Sequence, residues 1–205
     1  MEPMLPLVVT GGLASGINAY LVVLVTGLLG RFGGIDGVPA ALQRTDVLIA
    51  AAALFAIEFV TDKIPYLDSL WDTIHTVIRP AIGATLGALI AGDASSLDQA
   101  FWATTGGVSA LASHTVKAGF RAAVNTSPEP VSNVATSLTE DISVAGVVTL
   151  AAFYPWLALS VALLLFAIGL TVVIVLARGV RAFARRRPDP RTGDAPHPRS
   201  TAPPH

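Results

Sequence analysis

Ionisable side chains recur at helical spacing within three otherwise apolar segments of the chain. Residues three, four and seven positions apart lie on one face of a helix. Because an ionisable group inside a membrane span costs roughly 2.5–3.5 kcal/mol to insert, such residues indicate a functional site or a buried partner. The three stripes are Glu58 and Asp62; Asp72, His75 and Arg79; and His114, Lys117 and Arg121.

The stripes contain the groups that an anionic substrate requires. Arg79, Lys117 and Arg121 could hold a phosphate, a carboxylate or a lipid headgroup, whose charge would offset the cost of burying the three cations. Histidine titrates near neutral pH, so the stripes could also exchange protons. The candidates for proton exchange are Glu58, His75 and His114.

Two polar segments adjoin the stripes, residues 62–72 and 125–141, and both are predicted to be loops that proline restrains. Ser137 and Glu140 have the spacing of a capping box and predict the start of the fifth span. Amide and hydroxyl groups without such a role could line a polar pocket. The expected substrate-binding residues are Glu58, Asp62, Lys63, Asp72, His75, Arg79, His114, Lys117, Arg121, Asn125, Ser127 and Asn133. No catalytic residue, metal site or cofactor is expected.

Two further functions fit the same residues. A non-catalytic scaffold or membrane subunit would use the charges only as pairs between helices, with no cavity beside them. A transporter predicts instead a cavity that reaches Arg79 and His114. A magnesium-dependent enzyme acting on a diphosphate lipid would need four carboxylates to converge. Those carboxylates are Glu58, Asp62, Asp68 and Asp72.

Composition identifies the elements that must position these residues. Of the 205 residues, 53% are hydrophobic and 13% are charged, whereas an ordinary globular domain is roughly 25% charged. The mean hydropathy is +0.65. Because the chain has no cysteine, it can form no disulfide, zinc–thiolate site or iron–sulfur cluster. The composition therefore predicts an all-α, polytopic transmembrane helix bundle.

About six spans are expected. Uncharged or sparsely charged runs cover residues 3–30, 47–64, 71–92 and 99–124, and glycines in the first run predict a kinked or broken helix. Residues 142–177 form an uncharged run of 36 residues, too long for one crossing. Pro155 and its aromatic neighbours predict a turn within that run. Pro80 could lie inside the third span or begin a half-helix there.

A shift of 95 positions aligns residues 10–12 with 105–107, and Asp46 with Asp141. If each half of the chain holds three spans, these matches would predict two inverted three-helix repeats, an architecture found in many transporters.

The basic residues are concentrated at the C-terminal end. Residues 1–177 carry six basic and twelve acidic side chains, whereas residues 178–205 carry seven arginines and two aspartates. Arginines directly after a span indicate the cytoplasmic side. We therefore expect a transmembrane domain over residues 1–180 and a disordered, basic, proline-rich cytoplasmic tail over 181–205. Six spans would also place the N-terminus in the cytoplasm.

Several phrases of the sequence resemble one known family. The phrases DKIP, HTVIRP, NTSPEP and SNVATSLTED, within residues 10–160, are similar to small bacterial multi-pass membrane proteins grouped as domain of unknown function 4126. The resemblance implies a multi-pass protein of the bacterial inner (plasma) membrane. It implies no activity, substrate or catalytic residue.

The sequence thus favours a small transporter or lipid translocator. Its anionic substrate would bind at a charged cluster on the cytoplasmic side of the bundle. The expected partners are the lipid bilayer and an anionic small molecule or lipid headgroup. Assembly as a homo-oligomer is left open, and no nucleic acid is expected.

Overall fold

The computed structural model describes residues 4–124 and 130–185, and within them the chain is helical without a strand. Six long helices follow one another, with a short 3-10 turn at Ala40–Gln43 before the second. The predicted all-α helical bundle is confirmed. The helices are α1 (Met4–Phe32), α2 (Thr45–Thr61), α3 (Pro65–Ala91), α4 (Ser96–Val124), α5 (Pro130–Phe153) and α6 (Pro155–Arg185).

Four of these helices are long and apolar enough to cross a membrane: α1, α3, α5 and α6. The other two are the 17-residue α2 and the more polar α4, which carries one of the charged stripes. Proline begins α3 and α6, because its fixed φ suits the first helical turn and it has no N–H to leave unpaired. The predicted turn between the fifth and sixth spans is confirmed, since only Tyr154 separates α5 from α6.

Of the two positions left open for Pro80, the structure has the one inside the third span, since Pro80 lies within the continuous helix α3. Two local predictions are wrong. The predicted loop 62–72 is helical from Pro65 onward. Ser137 lies in the second turn of α5, which begins at Pro130, so it caps no helix. In each case a proline-initiated helix starts earlier than the polar composition suggested.

Helix α1 is broken at Asn18, whose backbone is extended (φ −146°, ψ 95°). The first half, residues 4–17, packs along α4 in the same chain direction. A Cβ added to Gly12 would meet Gly106, and one added to Gly16 would meet Ala110 and Ser113. The first half therefore descends beside α4 toward the α4 C-terminus. The predicted break in the first span is present, two residues beyond the glycine-rich segment.

The second half of α1, residues 19–32, returns to the end of the bundle where the first half began. Val22 belongs to the same buried cluster as Leu86, in the C-terminal part of α3. Gly27 lies against Leu48, near the start of α2. Arg31 donates to the Thr45 hydroxyl at 2.7 Å. These contacts make α1 a re-entrant hairpin with Asn18 at its apex.

Each half of the hairpin has fourteen residues. At 1.5 Å per residue this is about 21 Å, or roughly two-thirds of a 30 Å hydrocarbon core. With both of its ends at one membrane surface, such a hairpin would place its apex inside the hydrocarbon core. We call the end of the bundle nearest the apex the charged end; it holds the C-termini of α2 and α4 and the N-termini of α3 and α5. The opposite end holds both ends of the hairpin.

Helix α6 runs toward the charged end. Gly119 lies against Val173, and Gly169 lies against Val116, so α6 is parallel to α4. The start of α1 and the end of α6 are consequently at opposite ends of the bundle. This differs from the expectation that both chain termini lie on one side, which assumed that α1 crosses the membrane once. The predicted tail begins within α6, and residues 186–205 lie outside the described part of the chain.

The repeat hypothesis gains no support from the two aligned aspartates. Asp46 is exposed at the start of α2, where it pairs with Arg44, whereas Asp141 is buried in α5 beside Asn18. The inverted-repeat architecture stays a prediction.

Candidate functional site

Arg79 of α3 lies at the centre of the charged end and is completely buried. Its Nη2 donates to Glu58 Oε1 at 2.7 Å, and its Nη1 donates to Asp72 Oδ1 at 2.9 Å. Nη1 also donates to Nδ1 of His114 at 2.7 Å. Arg79 thereby joins α2, α3 and α4 through two carboxylates and one imidazole.

The partners of His114 fix its protonation. A guanidinium has donors only, so the His114 Nδ1 that faces Arg79 must be an acceptor. Its Nε2 then carries the proton and lies 3.1 Å from the Thr76 hydroxyl. That hydroxyl in turn donates to the Asp72 carbonyl at 3.1 Å. His114 is therefore neutral in this arrangement.

His75 is held in a similar way on the neighbouring face. Its Nδ1 donates to the Trp71 carbonyl at 2.7 Å, and its Nε2 lies 2.9 Å from the Tyr20 hydroxyl. Its ring also stacks on Trp71, with centroids 4.6 Å apart. Both histidines thus serve as ordered hydrogen-bonding groups between helices.

Lys117 of α4 is buried between α1, α2 and α5. Its Nζ donates to the carboxylate of Asp62 at 3.0 Å and to the backbone carbonyl of Ile17 at 2.9 Å. The carboxylate of Glu140 lies 3.4 Å away, and that of Glu58 lies 3.9 Å away. Lys117 therefore connects the hairpin to three neighbouring carboxylates.

Arg121, one turn further along α4, is held mainly by Glu140. Its Nη2 donates to Glu140 Oε2 at 2.7 Å, and its Nε donates to Oε1 at 3.2 Å, a two-point pairing. Nη1 donates to the Asp62 carbonyl at 2.9 Å and to Asn133 Oδ1 at 3.2 Å. Asp68 lies 3.8 Å from the same Nη1.

Polar groups also hold the apex of the hairpin. Asn18 caps the second half of α1, because its Oδ1 accepts from the N–H of Leu21 at 3.0 Å. Its Nδ2 donates to Asp141 Oδ1 at 2.9 Å. The break leaves the last carbonyls of the first half without helical partners, and one of them, that of Ile17, accepts from Lys117. The broken helix is thus paired with the charged cluster.

Lys63, in the link between α2 and α3, lies at the edge of the cluster. Its Nζ donates to the Phe59 carbonyl at 2.6 Å and to the Ser137 hydroxyl at 3.3 Å, and it lies over the Phe59 ring. Partial burial lowers the pKa of its ammonium below the ordinary value, since desolvation disfavours the charged form.

Negative charge exceeds positive charge in this cluster. Six carboxylates face four cations, a formal excess of two negative charges when both histidines are neutral. The carboxylates are Glu58, Asp62, Asp68, Asp72, Glu140 and Asp141, and the cations are Lys63, Arg79, Lys117 and Arg121. Within the part of the chain that the structure describes, no donor reaches the buried carboxylate oxygens Glu58 Oε2, Asp62 Oδ1 and Asp141 Oδ2. We find no group of three or more potential metal ligands within residues 4–124 and 130–185.

A cavity of about 460 Å³ adjoins this cluster between α1, α4, α5 and α6. Its walls are mostly apolar, including Val116, Phe120, Val147, Leu165 and Phe166. Lys117 and Glu140 contribute its charged groups, and Ser113, Thr136, Thr139 and Ser143 contribute hydroxyls. Arg79 and His114 are not among its lining residues, so it differs from the cavity that a transporter was expected to have.

Ten of the twelve predicted site residues lie in this cluster, and Asn125 and Ser127 fall outside the described residues. Sequence reasoning missed Glu140 because it was assigned to a capping box. It also missed Asp141 and Asn18, which meet across 123 positions of the chain. Glu140 lies one helical turn after Ser137, and this spacing correctly indicates a helix. The helix begins at Pro130, however, so the two residues do not cap it.

One family is similar to this chain over most of its length. The model of the family described as Domain of unknown function (DUF4126) matches residues 5–175, which include all six helices except the last turns of α6. No curated protein and no solved structure matches the chain.

Proposed function

The chain belongs to the DUF4126 family, and from that premise we propose that it is a small transporter or lipid translocator for an amphipathic anion. It is an integral membrane protein, and its family description names no activity. The charged cluster and the cavity are therefore the features that bear on its function. The substrate would place its anionic headgroup on Lys117 and Arg121 and its hydrocarbon part in the apolar cavity.

The observation that supports this proposal best is the junction between cavity and cluster. Pockets for small molecules are mostly apolar and carry a few polar groups that orient the ligand. Here the charged groups are Lys117 and Glu140, and the remaining wall suits an alkyl chain. A small hydrophilic anion would leave that wall unused, which favours a lipid or another single-chain amphiphile.

The three predicted cations are not equivalent in this proposal. Lys117 lines the cavity and Arg121 shares Glu140 with it. Arg79 is enclosed by Glu58, Asp72 and His114, and a substrate could reach it only after these pairs separate. We therefore assign headgroup binding to Lys117 and Arg121, and assign to Arg79 the positioning of α2, α3 and α4.

The re-entrant hairpin supports transport in a second way. Many transporters place their binding sites where a discontinuous helix ends at membrane depth, because the break leaves polar backbone groups available there. In this chain the break at Asn18 meets Lys117 on one side and Asp141 on the other. Movement of the hairpin apex would change both contacts at once.

We propose that the charged end faces the cytoplasm of a bacterial inner membrane. Arg178 and Arg181 lie on the last turns of α6, at this end, and arginines adjoining a span are typical of the cytoplasmic side. Both ends of the hairpin, one of which is the start of α1, then lie on the other side of the membrane. The cysteine-free chain allows a direct test with single cysteines at Leu5 and Arg178. An impermeant maleimide should label them from opposite sides; labelling from one side would refute the hairpin topology.

A non-catalytic scaffold is the second candidate function, and one specific observation supports it. Arg79, Lys117 and Arg121 are each paired directly with carboxylates, as a purely structural network requires. A purely structural scaffold, in contrast, would not need a cavity beside these charges. Ligand binding therefore separates these two functions.

The enzyme hypothesis has less support. Glu58 and Asp72 both bind Arg79, whereas Asp62 and Asp68 both face Arg121. Since the guanidinium groups lie between these carboxylates, the four do not converge on a common point in the described structure, and a bridging magnesium ion would have to displace the cations.

Binding can be tested by thermal unfolding of the purified protein in a neutral detergent. The probe is decanesulfonate, a single-chain anion, compared with methanesulfonate for the charge alone and decyl maltoside for the chain alone. A ligand at a hundredfold excess over its Kd stabilises the folded state by about 2.7 kcal/mol. We expect decanesulfonate alone to raise the Tm.

Three variants assign the site. Lys117→Met should abolish the shift by removing the headgroup partner, and Ser143→Phe should reduce it by occupying part of the cavity. Lys63→Met is the matched control, since Lys63 lies at the same end but does not line the cavity. If decanesulfonate shifts none of the folded proteins, the scaffold function replaces the proposal. A positive result leads to measurement of flux of labelled anionic lipid in reconstituted vesicles.

A further inference from the structure

We propose that Glu140 is a displaceable carboxylate that holds Lys117 and Arg121 until a proton neutralises it, so that the anionic substrate and a proton bind together. This inference rests on the proposed function and specifies its coupling ion. The carboxylate of Glu140 occupies the position, at the cavity wall and against both cations, that the substrate headgroup would take.

The contacts of Glu140 resemble those expected of a bound anion. Its two oxygens pair with Arg121 at 2.7 and 3.2 Å, and Oε2 also lies 3.4 Å from Lys117. A carboxylate or phosphate substrate would be held by the same fork of donors. Substrate and Glu140 therefore compete for the same two cations.

Glu140 is also the most accessible carboxylate of the buried ion pairs. Its side chain is 15% exposed, whereas those of Glu58, Asp62, Asp68 and Asp72 are between 0% and 8% exposed. Glu140 also lines the cavity. Displacing it requires no rearrangement of the Arg79 pairs at the centre of the cluster.

The surroundings of Glu140 make loss of its charge favourable when an anion arrives. Positive charge comes from Lys117 and Arg121 on α4, and from Lys63 beyond Ser137. Negative charge comes from Asp62 in the α2–α3 link, from Asp68 on α3 and from the adjacent Asp141. The hairpin contributes the neutral Asn18, and α6 contributes only apolar or uncharged groups to the cavity.

Charge conservation explains why a proton would accompany the anion. The cluster already has two more carboxylates than cations, and an additional negative charge in a low-dielectric region is costly. When Glu140 takes up one proton, it becomes a neutral acid and releases its ion pairs. A monoanion then pairs with Lys117 and Arg121, so the net charge of the site is unchanged. One proton therefore enters with each monoanion.

The pH dependence of decanesulfonate binding tests this coupling, because a sulfonate keeps its charge across the range. If one proton binds with the anion, the affinity of the unmodified chain, measured over a range of pH values, should rise as the pH falls, by at most about tenfold for each unit of pH. Glu140→Gln imitates the neutral acid. It should bind decanesulfonate tightly throughout this range, with the pH dependence lost.

Asp46→Asn is the matched control, because it removes a carboxylate from an exposed ion pair at the opposite end. It should keep the pH dependence of the unmodified chain. If Glu140→Gln does not fold, Glu140→Asp provides the test. Its shorter carboxylate reaches Arg121 less well, so binding should be tighter at about pH 8 while some pH dependence remains.

The outcomes separate this inference from the function beneath it. Equal affinity at every pH in the unmodified chain, with no gain in Glu140→Gln, overturns proton coupling and leaves anion binding intact. A pH dependence that persists fully in Glu140→Gln assigns the proton to another group and also overturns the inference. Absence of binding in both proteins at every pH overturns the proposed function itself.

Discussion

The same three helices, α1, α3 and α4, are joined by two different chemistries in the two halves of the bundle. Toward the opposite end they meet through glycines. A Cβ on Gly12 or Gly83 would meet the Gly106 carbonyl oxygen, and one on Gly87 would meet the backbone of Trp102. Toward the charged end Arg79 joins α3 to α4 through His114, and Lys117 joins α4 to α1 through the Ile17 carbonyl. The same two cations form ion pairs with the carboxylates of Glu58 and Asp62.

This difference indicates that the ion pairs are not required merely to hold the helices together. Small residues allow close backbone packing, which is the usual source of helix association in membranes. The glycine contacts already provide it for α1, α3 and α4. The charged end, in contrast, buries costly groups with an excess of carboxylates and has a cavity beside them. Such a cost is more easily understood at a functional site.

The largest loss of stability is expected from Arg79→Met, at the centre of the charged half. It leaves Glu58 and Asp72 buried without their cation, and breaking a buried pair in this way costs about 3–5 kcal/mol. Denaturant unfolding in mixed micelles would measure the change.

The control adds Glu58→Gln and Asp72→Asn to Arg79→Met. Because a neutral set of similar volume avoids the desolvation of charge, this triple variant should recover most of the lost stability. If the triple variant is as unstable as Arg79→Met, hydrogen-bond geometry rather than uncompensated charge determines the loss.

A smaller loss is expected from Gly106→Ala in the glycine-packed half. The added methyl group would overlap the Gly83 carbonyl, so the backbones must move apart, and overpacking of this kind costs about 1–3 kcal/mol. Gly146→Ala is the matched control, since a Cβ there meets no atom within 4 Å. It should be neutral or gain up to about 1 kcal/mol from helix propensity. Equal effects of the two variants would contradict the close-packing interpretation.

Asn18→Ala probes the point where the two halves of the bundle meet. It removes the cap on Leu21 and the hydrogen bond to Asp141, and loss of an N-cap costs about 0.5–2 kcal/mol. Asn18→Asp is the discriminating variant, because it keeps a capping oxygen but places a carboxylate against Asp141. It should be less stable than the unmodified chain at neutral pH and recover as the pH falls. Stability that does not depend on pH would show that the two side chains separate.

Residue spacing was sufficient to predict the helical class, the turn at Tyr154 and the shared faces of the charged stripes. These features are local, because they follow from hydropathy and from the 3.6-residue period of a helix. The segments on which Glu58, Arg79 and Lys117 lie were therefore assigned correctly before any contact between them was known.

The hairpin could not be predicted in this way. Residues 3–30 form one long apolar run, and hydropathy has the same value whether a helix crosses the membrane or turns back. The reversal depends on Asn18 meeting Asp141 and on Lys117 meeting Ile17, contacts that join residues 123 and 100 positions apart. Glu140 was misassigned for the opposite reason, since its local spacing matched a cap while a distant arginine determined its role.

The smallest effect is expected from Arg44→Ala, which separates burial from pairing geometry. Arg44 and Asp46 approach to 2.7 Å, the same distance as Arg79 and Glu58, but their side chains are 66% and 64% exposed, whereas those of the buried pair are 0% exposed. In water the attraction is screened, and ordering two mobile side chains offsets what remains. We therefore expect no change in the stability of the fold beyond experimental scatter for Arg44→Ala, at low salt or high, in the same denaturant-unfolding assay that detects Arg79→Met. A loss comparable to that of Arg79→Met would mean that an arginine–carboxylate pair has the same weight wherever it lies, and the distinction between the two halves of the bundle would then fail.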